Sequence, residues 1–391
     1  MKKVVRGFYA VAHSVKLCKP HVICAYPITP QTEIVENLAE MYANGELKNC
    51  EYITAESEFG AASILVGASA AGARVFSATC SQGLILMSEV LFNAAGMRLP
   101  IVIVNTNRAL SAPLSIWNDH QDSMVLRDAG IMQLFVENNQ EAHDAVPQAY
   151  KIAEDKRVLL PFMVCMDGFK LTHAYEPVDL LEEEVVDAFL PPYQPQIYLT
   201  TKKPVAMGCY ALPAYYMEFR VAMQQAMERA KSVMEKIYKE WAEVSGRDWG
   251  GHIVVEYPDA KIFVVAMGSL VGLLRKVVND LRKEGIDVGL IKIRTFRPFP
   301  VENLRKALSN AEKIVVFDRS VSFGYEGPLS IELKSALYKY SSADFYSYIV
   351  GLGGRDMPKD FLAGIIRDVA NGKEKPGVAF KGYKEFEEVI P

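Results

Sequence analysis

Closely spaced cysteines are missing from this 391-residue sequence. Its six cysteines are scattered along the chain, no two of them form a Cys-x-x-Cys pair, and the six histidines are equally dispersed. Iron–sulfur clusters need neighbouring thiolates, and zinc sites need nearby cysteine or histidine ligands. The sequence therefore predicts neither kind of metal site in this chain, and it favours reduced, buried cysteines.

An excess of one charge and a long hydrophobic run are missing as well. Lys and Arg number 43 against 47 Asp and Glu, for a formal net charge of −4 and no basic stripe, so we expect no nucleic-acid partner. The longest nearly apolar stretch, 262–274, is too short for a bilayer span. The N-terminus lacks the continuous apolar core of a signal peptide, so we expect a cytoplasmic protein without a membrane segment.

Three common enzyme motifs are also absent. The sequence contains no GxGxxG after a predicted strand, no P-loop and no GxSxG. It therefore carries none of the usual local signatures of dinucleotide binding, nucleotide hydrolysis or serine-hydrolase chemistry.

Short apolar runs do alternate with helical patterns through the first half of the chain. The predicted strands are 22–26, 51–55, 73–79, 100–106, 132–137 and 161–166. The predicted helices lie near 31–43, 58–70, 82–96 and 140–154. Near-continuous apolar strands alternating with helices are typical of a parallel sheet covered on both faces.

A second α/β unit is predicted from about residue 260. A proline-rich break at 190–204 is followed by a long amphipathic, methionine-containing helix that fills either a core or a subunit contact. Predicted strands and helices then alternate over 261–269, 270–283, 287–296, 300–309 and 313–320. We therefore predict an α/β protein of two doubly wound domains, 1–250 with a helical linker at its end and 251–391.

The candidate site residues follow predicted strands, where ligands bind in open parallel sheets. The first is in "CAYPITPQTEIVENL", residues 24–38, where two prolines flank Thr29. With Pro30 at the first helical position, Thr29 is placed to cap a helix. A helix N-terminus also attracts a carboxylate, so capping and ligand binding are compatible roles for Thr29.

Two carboxylates follow the second predicted strand. In "TAESEFGAAS", 54–63, Glu56 and Glu58 precede a helix of small residues that would let a flat ligand approach. Each glutamate is either a partner of the helix dipole or a buried group that shares a proton with a ligand nitrogen. The residues alone leave both readings open.

A long polar loop follows the strand at 100–106. Its Arg108 could grip a carboxylate through two parallel hydrogen bonds, or form a surface ion pair. Asp119, His120 and Asp122 match no metal-ligand spacing, and we interpret them as capping and loop-fixing residues.

Several segments together resemble one family, the α subunits of the multisubunit pyruvate:ferredoxin oxidoreductases, also called pyruvate synthases. The resemblance runs from about Gly7 to about Leu329, and the last 60 or so residues add little to it. The segments that carry it are "YPITPQTE", "ESEFGAA", "SQGLILMSE", "NRALSAPLSIWNDHQDSM", "ENNQEAHD", "RTFRPFP" and "DRSVSFGYEGPL".

The resemblance implies a division of labour between subunits. It implies that the first domain is like a thiamine pyrimidine-binding domain and the second like a transketolase C-terminal domain. The complex would cleave pyruvate with thiamine diphosphate, reduce ferredoxin and form acetyl-CoA from CoA. Mg²⁺ and the [4Fe–4S] clusters would belong to β, γ and δ partner subunits. In keeping with this, the Asp167–Gly168 pair lacks the downstream asparagine of a diphosphate–Mg²⁺ motif.

The resemblance also implies roles for individual residues. Glu58 matches the glutamate that hydrogen-bonds the aminopyrimidine ring, with Glu56 as the second candidate. Thr29 and Arg108 match the residues that contact the substrate carboxylate. The residues expected beside them, toward the cofactor or the substrate, are Tyr26, Pro27 and Ile28.

Three alternatives stay open from the sequence. The same reaction could act on branched-chain 2-oxoacids such as 2-oxoisovalerate; "YPITP" does not separate the two, whereas "PLSIWNDHQD" leans towards pyruvate. A self-contained, non-redox thiamine enzyme of the transketolase kind is disfavoured by the missing Mg²⁺ motif. A non-catalytic interaction subunit is disfavoured by the set Thr29, Glu58 and Arg108.

Overall fold

The computed structural model describes residues 1–384. The first part of the chain contains eight strands and eight helices. The strands are β1 (Lys2–Arg6), β2 (Val22–Ala25), β3 (Glu51–Thr54), β4 (Val75–Thr79), β5 (Val102–Asn107), β6 (Met132–Phe135), β7 (Phe162–Asp167) and β8 (Tyr175–Asp179). The helices are α1 (Gly7–Leu17), α2 (Thr32–Ala43), α3 (Glu58–Ala70), α4 (Ser81–Gly96), α5 (Gln121–Val125), α6 (Asn139–Ala153), α7 (Glu183–Phe189) and α8 (Pro213–Ser245).

The second part, up to residue 384, is built in the same way. Its strands are β9 (Ile253–Glu256), β10 (Ile262–Ala266), β11 (Val288–Ile293), β12 (Thr295–Arg297), β13 (Lys313–Asp318), β14 (Asp344–Ile349) and β15 (Gly377–Phe380). Its helices are α9 (Leu270–Lys283), α10 (Val301–Ala307), α11 (Pro328–Leu337) and α12 (Lys359–Ala370), with a 3₁₀ turn at Leu352–Gly354. The predicted second domain also includes residues 385–391, which lie outside the described residues.

Two mostly parallel sheets form the scaffold of the described residues. One has the strand order β12-β6-β7-β5-β4-β2-β3 and the other the order β15-β14-β13-β10-β11-β9, while β1 and β8 pair separately. Only β12 and β9 run antiparallel to their neighbours in these two sheets. This mixed arrangement confirms the predicted α/β class with parallel sheets. All six strands predicted in the first half are present within a few residues.

The predicted strand 287–296 is wrong as a single element. The chain forms β11 in the second sheet, then turns at Arg294 and places β12 at the edge of the first sheet. The backbone N–H groups of Arg294 and Thr295 both donate to the His252 carbonyl, and the Arg294 carbonyl accepts from Phe135. Because the hydrogen-bond partners change at Arg294, one apolar run serves two sheets.

Helix α8 confirms the long amphipathic helix of the prediction. From Ala226 onward it buries one stripe against the first sheet's helices, including Ala226, Ala230, Met234 and Trp241. Residues 213–222 are exposed on every side of the helix. No helix among residues 1–384 combines the length and the apolar character that a membrane span requires.

Candidate active site

Thr29 and Arg108 lie together at the carboxyl edge of the first sheet. The Arg108 side chain is nearly buried, and its Nη1 donates to the Thr29 carbonyl at 2.8 Å. Its Nε donates to the Ser115 carbonyl at 3.0 Å, and Nη2 has no acceptor among the described residues. Two bonds therefore hold the guanidinium in place while one nitrogen is left to bind a ligand.

The predicted capping role of Thr29 is wrong. Helix α2 begins at Thr32, because the chain first makes a turn in which Gln31 and Thr32 donate to the Ile28 carbonyl. The buried Gln31 side chain fixes this turn by accepting from the Ile28 N–H at 3.1 Å and donating to the Ala78 carbonyl at 2.8 Å. Thr29 is consequently left exposed on the turn rather than used inside the helix.

The residues just before Thr29 occupy the same open turn after β2. Tyr26 and Pro27 are exposed, and Ile28 is half-buried. No hydrogen bond of the Tyr26 hydroxyl to another described residue is present. These three residues are therefore placed where a ligand could reach them.

Glu58 is a buried carboxylate at the start of α3. It is 6% exposed and is the first residue of the helix, which Ser57 caps by accepting from the Gly60 N–H at 3.1 Å. Within residues 1–384 the Glu58 carboxylate accepts no hydrogen bond from the protein. A mostly buried carboxylate with no hydrogen-bond donor among the described residues is typical of a site completed by a ligand.

The pocket beside Glu58 requires glycine at position 83. A Cβ atom there would overlap the Glu58 carboxylate and lie 2.7 Å from Thr79 Oγ1. The Thr79 hydroxyl is buried and has no hydrogen-bond partner among the described residues. The Glu58 carboxylate and the Thr79 hydroxyl thus share a small cradle, and neither group bonds to another side chain or backbone group within residues 1–384.

Glu56 lies in a different environment. Its side chain is exposed, and its Oε1 accepts from the Ser57 hydroxyl at 3.2 Å. Of the two candidate carboxylates, only Glu58 combines burial with an unused acceptor. This geometry favours Glu58 over Glu56.

The first turn of α4 connects Glu58 to Thr29. Gly83 packs on Glu58, and Cys80, the residue before the helix, donates its thiol to the Thr29 carbonyl at 3.2 Å. Thr29 therefore receives bonds from both Cys80 and Arg108. The structure brings all three predicted residues to one edge through this turn.

Asp122 organises the loop that carries Arg108, a role that sequence reasoning described only as loop fixing. Its buried carboxylate accepts from the backbone N–H groups of Ser81, Arg108 and Ser123, and from the side-chain amides of Asn105 and Asn107. The bonds are 2.8–3.1 Å long. Loop fixing is confirmed for Asp122, and it links α4 directly to Arg108.

The second sheet meets the first at this same edge. Asp167, at the end of β7, accepts from Arg319 at 2.9 Å, from His120 at 2.8 Å and from the Ser269 N–H at 2.9 Å. Burial alone would raise the pKa of Asp167, but the Arg319 guanidinium and His120 hold it well below its usual range. Asp119 likewise accepts from the Gly353 N–H at 2.9 Å. The carboxyl ends of both sheets therefore face one another.

Comparison with known proteins identifies the class to which this fold and site belong. Residues 13–239 match the family described as "Pyruvate flavodoxin/ferredoxin oxidoreductase, thiamine diP-bdg", a thiamine diphosphate-binding domain. Residues 260–361 match "Pyruvate:ferredoxin oxidoreductase core domain II". The chain belongs to the pyruvate:ferredoxin oxidoreductase family, as the resemblance predicted.

Close relatives carry two different names. Pyruvate synthase subunit PorA of Methanosarcina barkeri is 52% identical over 93% of this chain and 92% of the relative. PorA of Methanothermobacter thermautotrophicus is 50% identical over 99% of both chains. Ketoisovalerate oxidoreductase subunit VorA of Pyrococcus horikoshii is 47% identical over 99% of this chain and 97% of the relative.

Solved structures show the same fold at low sequence identity. A 2-oxoglutarate:ferredoxin oxidoreductase from Magnetococcus marinus, with 2-oxoglutarate, coenzyme A and succinyl-CoA bound, aligns at a TM-score of 0.73 and 19% identity. The alignment covers 94% of this chain, which spans 65% of that chain's length. A split-gene transketolase in an inactive β4 tetramer aligns at 0.56 and 11% identity, over 95% of this chain and all of the other.

Proposed function

We propose that this chain is the α subunit of a thiamine diphosphate-dependent complex that oxidatively decarboxylates pyruvate. With CoA the complex forms acetyl-CoA and CO₂, reduces ferredoxin, and can run in reverse. One observation carries the proposal: Arg108 is fixed against the Thr29 carbonyl on the edge that holds the buried Glu58, and within residues 1–384 neither Arg108 Nη2 nor the Glu58 carboxylate has a hydrogen-bond partner. The PorA relatives, at 50–52% identity over nearly the whole chain, support the substrate.

The residues at Glu58 fit the pyrimidine end of the cofactor. The buried carboxylate can accept a hydrogen bond from a ring nitrogen, and the partnerless Thr79 hydroxyl adds a second polar contact in the cradle over Gly83. When bound, thiamine diphosphate supplies an electron sink for the bond that breaks as CO₂ leaves. Glu58 would hold the ring nitrogen's proton, and Tyr26, Pro27 and Ile28 would line the side of the turn that faces the ligand.

Arg108 and Thr29 are suited to the substrate carboxylate. Arg108 Nη2 would donate a charge-assisted hydrogen bond, and the exposed Thr29 hydroxyl would donate a second one. Such bonds to a charged group contribute about 1.5–3 kcal/mol each. Arg108 is already bonded to the Thr29 carbonyl through its side chain and to Asp122 through its backbone N–H, so little ordering is needed when the substrate binds.

The proposal also divides the cofactors among the subunits of the complex. We assign Mg²⁺ and the cofactor's diphosphate to a β subunit, the [4Fe–4S] clusters and ferredoxin contact to the partner subunits β, γ and δ, and CoA to the assembled complex. The dispersed cysteines of this sequence support that division. We also propose a cytoplasmic location and a domain boundary at 250/251, in the segment between α8 and β9.

A branched-chain substrate is the second candidate function. The VorA relative of Pyrococcus horikoshii, 47% identical over 99% of this chain, is the observation that favours it. The residues that would bind the 2-oxoacid carboxylate serve either substrate, so specificity must come from groups that meet the substrate's alkyl end.

The test is an assay of the purified native complex with CoA and a viologen dye. We expect reduction of the dye with pyruvate at a kcat/KM above that with 2-oxoisovalerate or 2-oxoglutarate. The chain alone, given thiamine diphosphate and Mg²⁺, should release no CO₂. A preference for 2-oxoisovalerate would show that the substrate is a branched-chain 2-oxoacid and not pyruvate. Turnover by the isolated chain would refute the subunit assignment.

A further inference from the structure

Two aromatic side chains stand out from the loop between β13 and α11. Phe323 is 88% exposed and Tyr325 is 72% exposed. We call residues 320–327 the aromatic tip. Large aromatic groups held in water are costly, and adjacent ones commonly anchor protein–protein contacts.

The aromatic tip is held in one conformation by its own hydrogen bonds. The Ser322 N–H donates to the Glu326 carbonyl and the Tyr325 N–H to the Ser322 carbonyl, both at 2.9 Å. Gly324 between the two aromatics has φ +85°, which suits glycine in this turn. The Ser320 hydroxyl closes the base by donating to Asp318 at 2.8 Å. The two rings are therefore presented by a closed turn, and little conformational freedom remains to be lost on binding.

The aromatic tip belongs to the catalytic edge although it lies in the second part of the chain. At its base the Val321 N–H donates to Gln121 Oε1 at 2.9 Å. Just before the aromatic tip, the Arg319 carbonyl accepts from the His120 N–H at 2.8 Å. His120 and Gln121 lie at the end of the loop that begins at Arg108. The aromatic tip is thus tied to the loop that carries the substrate arginine.

Two loop segments beside this edge carry no charged side chain. Residues 109–117 and 320–325 contain no charged side chain. Leu114 is 73% exposed and Trp117 is 53% exposed. Two uncharged loops, one from each part of the chain, therefore border the edge at which Glu58 and Arg108 have unused hydrogen-bonding capacity.

We propose that the aromatic tip is an anchor for the subunit that carries the diphosphate half of the cofactor site, with Phe323 and Tyr325 inserting into an apolar pocket of that partner. This inference rests on the proposed function, since the half-site on this chain is completed by such a subunit. The pocket on the partner subunit would be concave and uncharged, with a hydrogen-bond acceptor for the Tyr325 hydroxyl. Docking here would cover the edge and exclude water from the site.

The test compares matched tyrosines at the two ends of α11. Tyr338 is 72% exposed, as Tyr325 is, but it follows the far end of this ten-residue helix, about 15 Å away. The variants are Phe323→Ser, Tyr325→Ser and, as control, Tyr338→Ser, each mixed with the purified partner subunits. Circular dichroism and the thermal midpoint of each chain alone verify folding.

We expect Phe323→Ser and Tyr325→Ser each to weaken assembly about tenfold or more in sedimentation titrations, with Tyr338→Ser unchanged. Activity should recover at high partner concentration, since no group that contacts the substrate is altered. Wild-type affinity in both tip variants would overturn the inference and leave the proposed function intact. Normal assembly of the tip variants with a raised KM for CoA would also overturn the inference, because it would show that the aromatic tip binds CoA and not the partner subunit. Failure of the wild-type chain to assemble would overturn both.

Discussion

Two groups of buried carboxylates are treated differently by this fold. Glu141, at the seam between the two sheets, accepts from Arg294 Nε at 2.7 Å, from Lys292 Nζ at 2.6 Å and from the Glu137 N–H at 2.8 Å. Glu58, at the carboxyl edge of the first sheet, is almost as deeply buried and accepts no hydrogen bond from another described residue. The chemical group is the same, and only the supply of donors differs.

The difference separates carboxylates that join the two sheets from one that has no protein partner among the described residues. Glu141 at the seam and Asp167 at the carboxyl edge each meet cations from the second part of the chain, so these ions fasten one sheet to the other. At the edge, the Glu58 carboxylate and Arg108 Nη2 form no hydrogen bond with any other residue of the described range 1–384.

The largest effect on activity is expected from Glu58→Gln. The amide keeps the shape of the side chain but cannot hold the proton of a ring nitrogen, so turnover of the complex should fall about 10²- to 10⁴-fold. Removal of an unpaired buried carboxylate should leave the chain as stable as the wild type, or more so. Steady-state kinetics and urea unfolding measure the two quantities. Full activity in Glu58→Gln together with loss in Glu56→Gln would show that Glu56 is the relevant carboxylate.

The same substitution at the seam should have the opposite effect on stability. Among the described residues, Glu141→Gln leaves Arg294 buried without a counter-charge and leaves Lys292 with Glu137 alone, 3.3 Å away, which costs about 3–5 kcal/mol in the free energy of unfolding. The matched control is Glu284→Gln, whose partner Arg367 is exposed, and it should cost less than about 1 kcal/mol.

The seam should also weaken in acid. Burial would raise the pKa of Glu141, but Lys292 and Arg294 lower it below its usual value. Its contribution is therefore present above the unfolded-state pKa and is lost as the pH falls through the folded-state pKa. Equal stability of Glu141→Gln and the wild type at pH 7 would refute this account of the seam.

A smaller effect on catalysis is expected from Arg108→Ala. Loss of a charge-assisted hydrogen bond to the substrate should cost about 1.5–3 kcal/mol, or roughly 10- to 100-fold in kcat/KM, mainly through KM. Cofactor content of the purified complex should be unchanged. Arg367→Ala, a surface arginine, is the control. Loss of assembly with an unchanged KM would assign Arg108 to structure instead.

The elements of the fold were predictable where the apolar pattern was strong. Strands such as β5 and β7, buried on both faces, appear in the sequence as continuous apolar runs and were located to within two residues. The split of one apolar run into β11 and β12 is not predictable from the sequence, because the change of sheet at Arg294 depends on hydrogen bonds from distant residues. No element is predicted after residue 320, where the structure forms α11 and β14 among others.

The site was predictable in its members but not in its construction. Motifs pointed to Thr29, Glu58 and Arg108, whose placement at one edge the geometry supports. The contact between Arg108 and the Thr29 carbonyl joins residues 79 positions apart, and no local pattern encodes it. The sequence gives only a weak indication of the role of Asp122, which is an acidic residue in a long polar loop. The five groups that donate to it come together only when the chain folds.

The smallest effect is expected at Cys80, which supports the catalytic edge without contacting a ligand. Burial, with the Asp122 carboxylate nearby, raises the pKa of Cys80 to about 12, so the thiol stays protonated and donates to the Thr29 carbonyl. A thiol is a weak donor and Arg108 binds the same oxygen, so Cys80→Ala should cost about 0.5 kcal/mol, or about twofold in kcat/KM. In the native chain, iodoacetamide should modify the exposed Cys209 and spare the buried Cys80. Mass spectrometry of the alkylated chain checks this, with the urea-unfolded chain as control; rapid alkylation of native Cys80 would show that the edge opens far more readily than its hydrogen bonds imply.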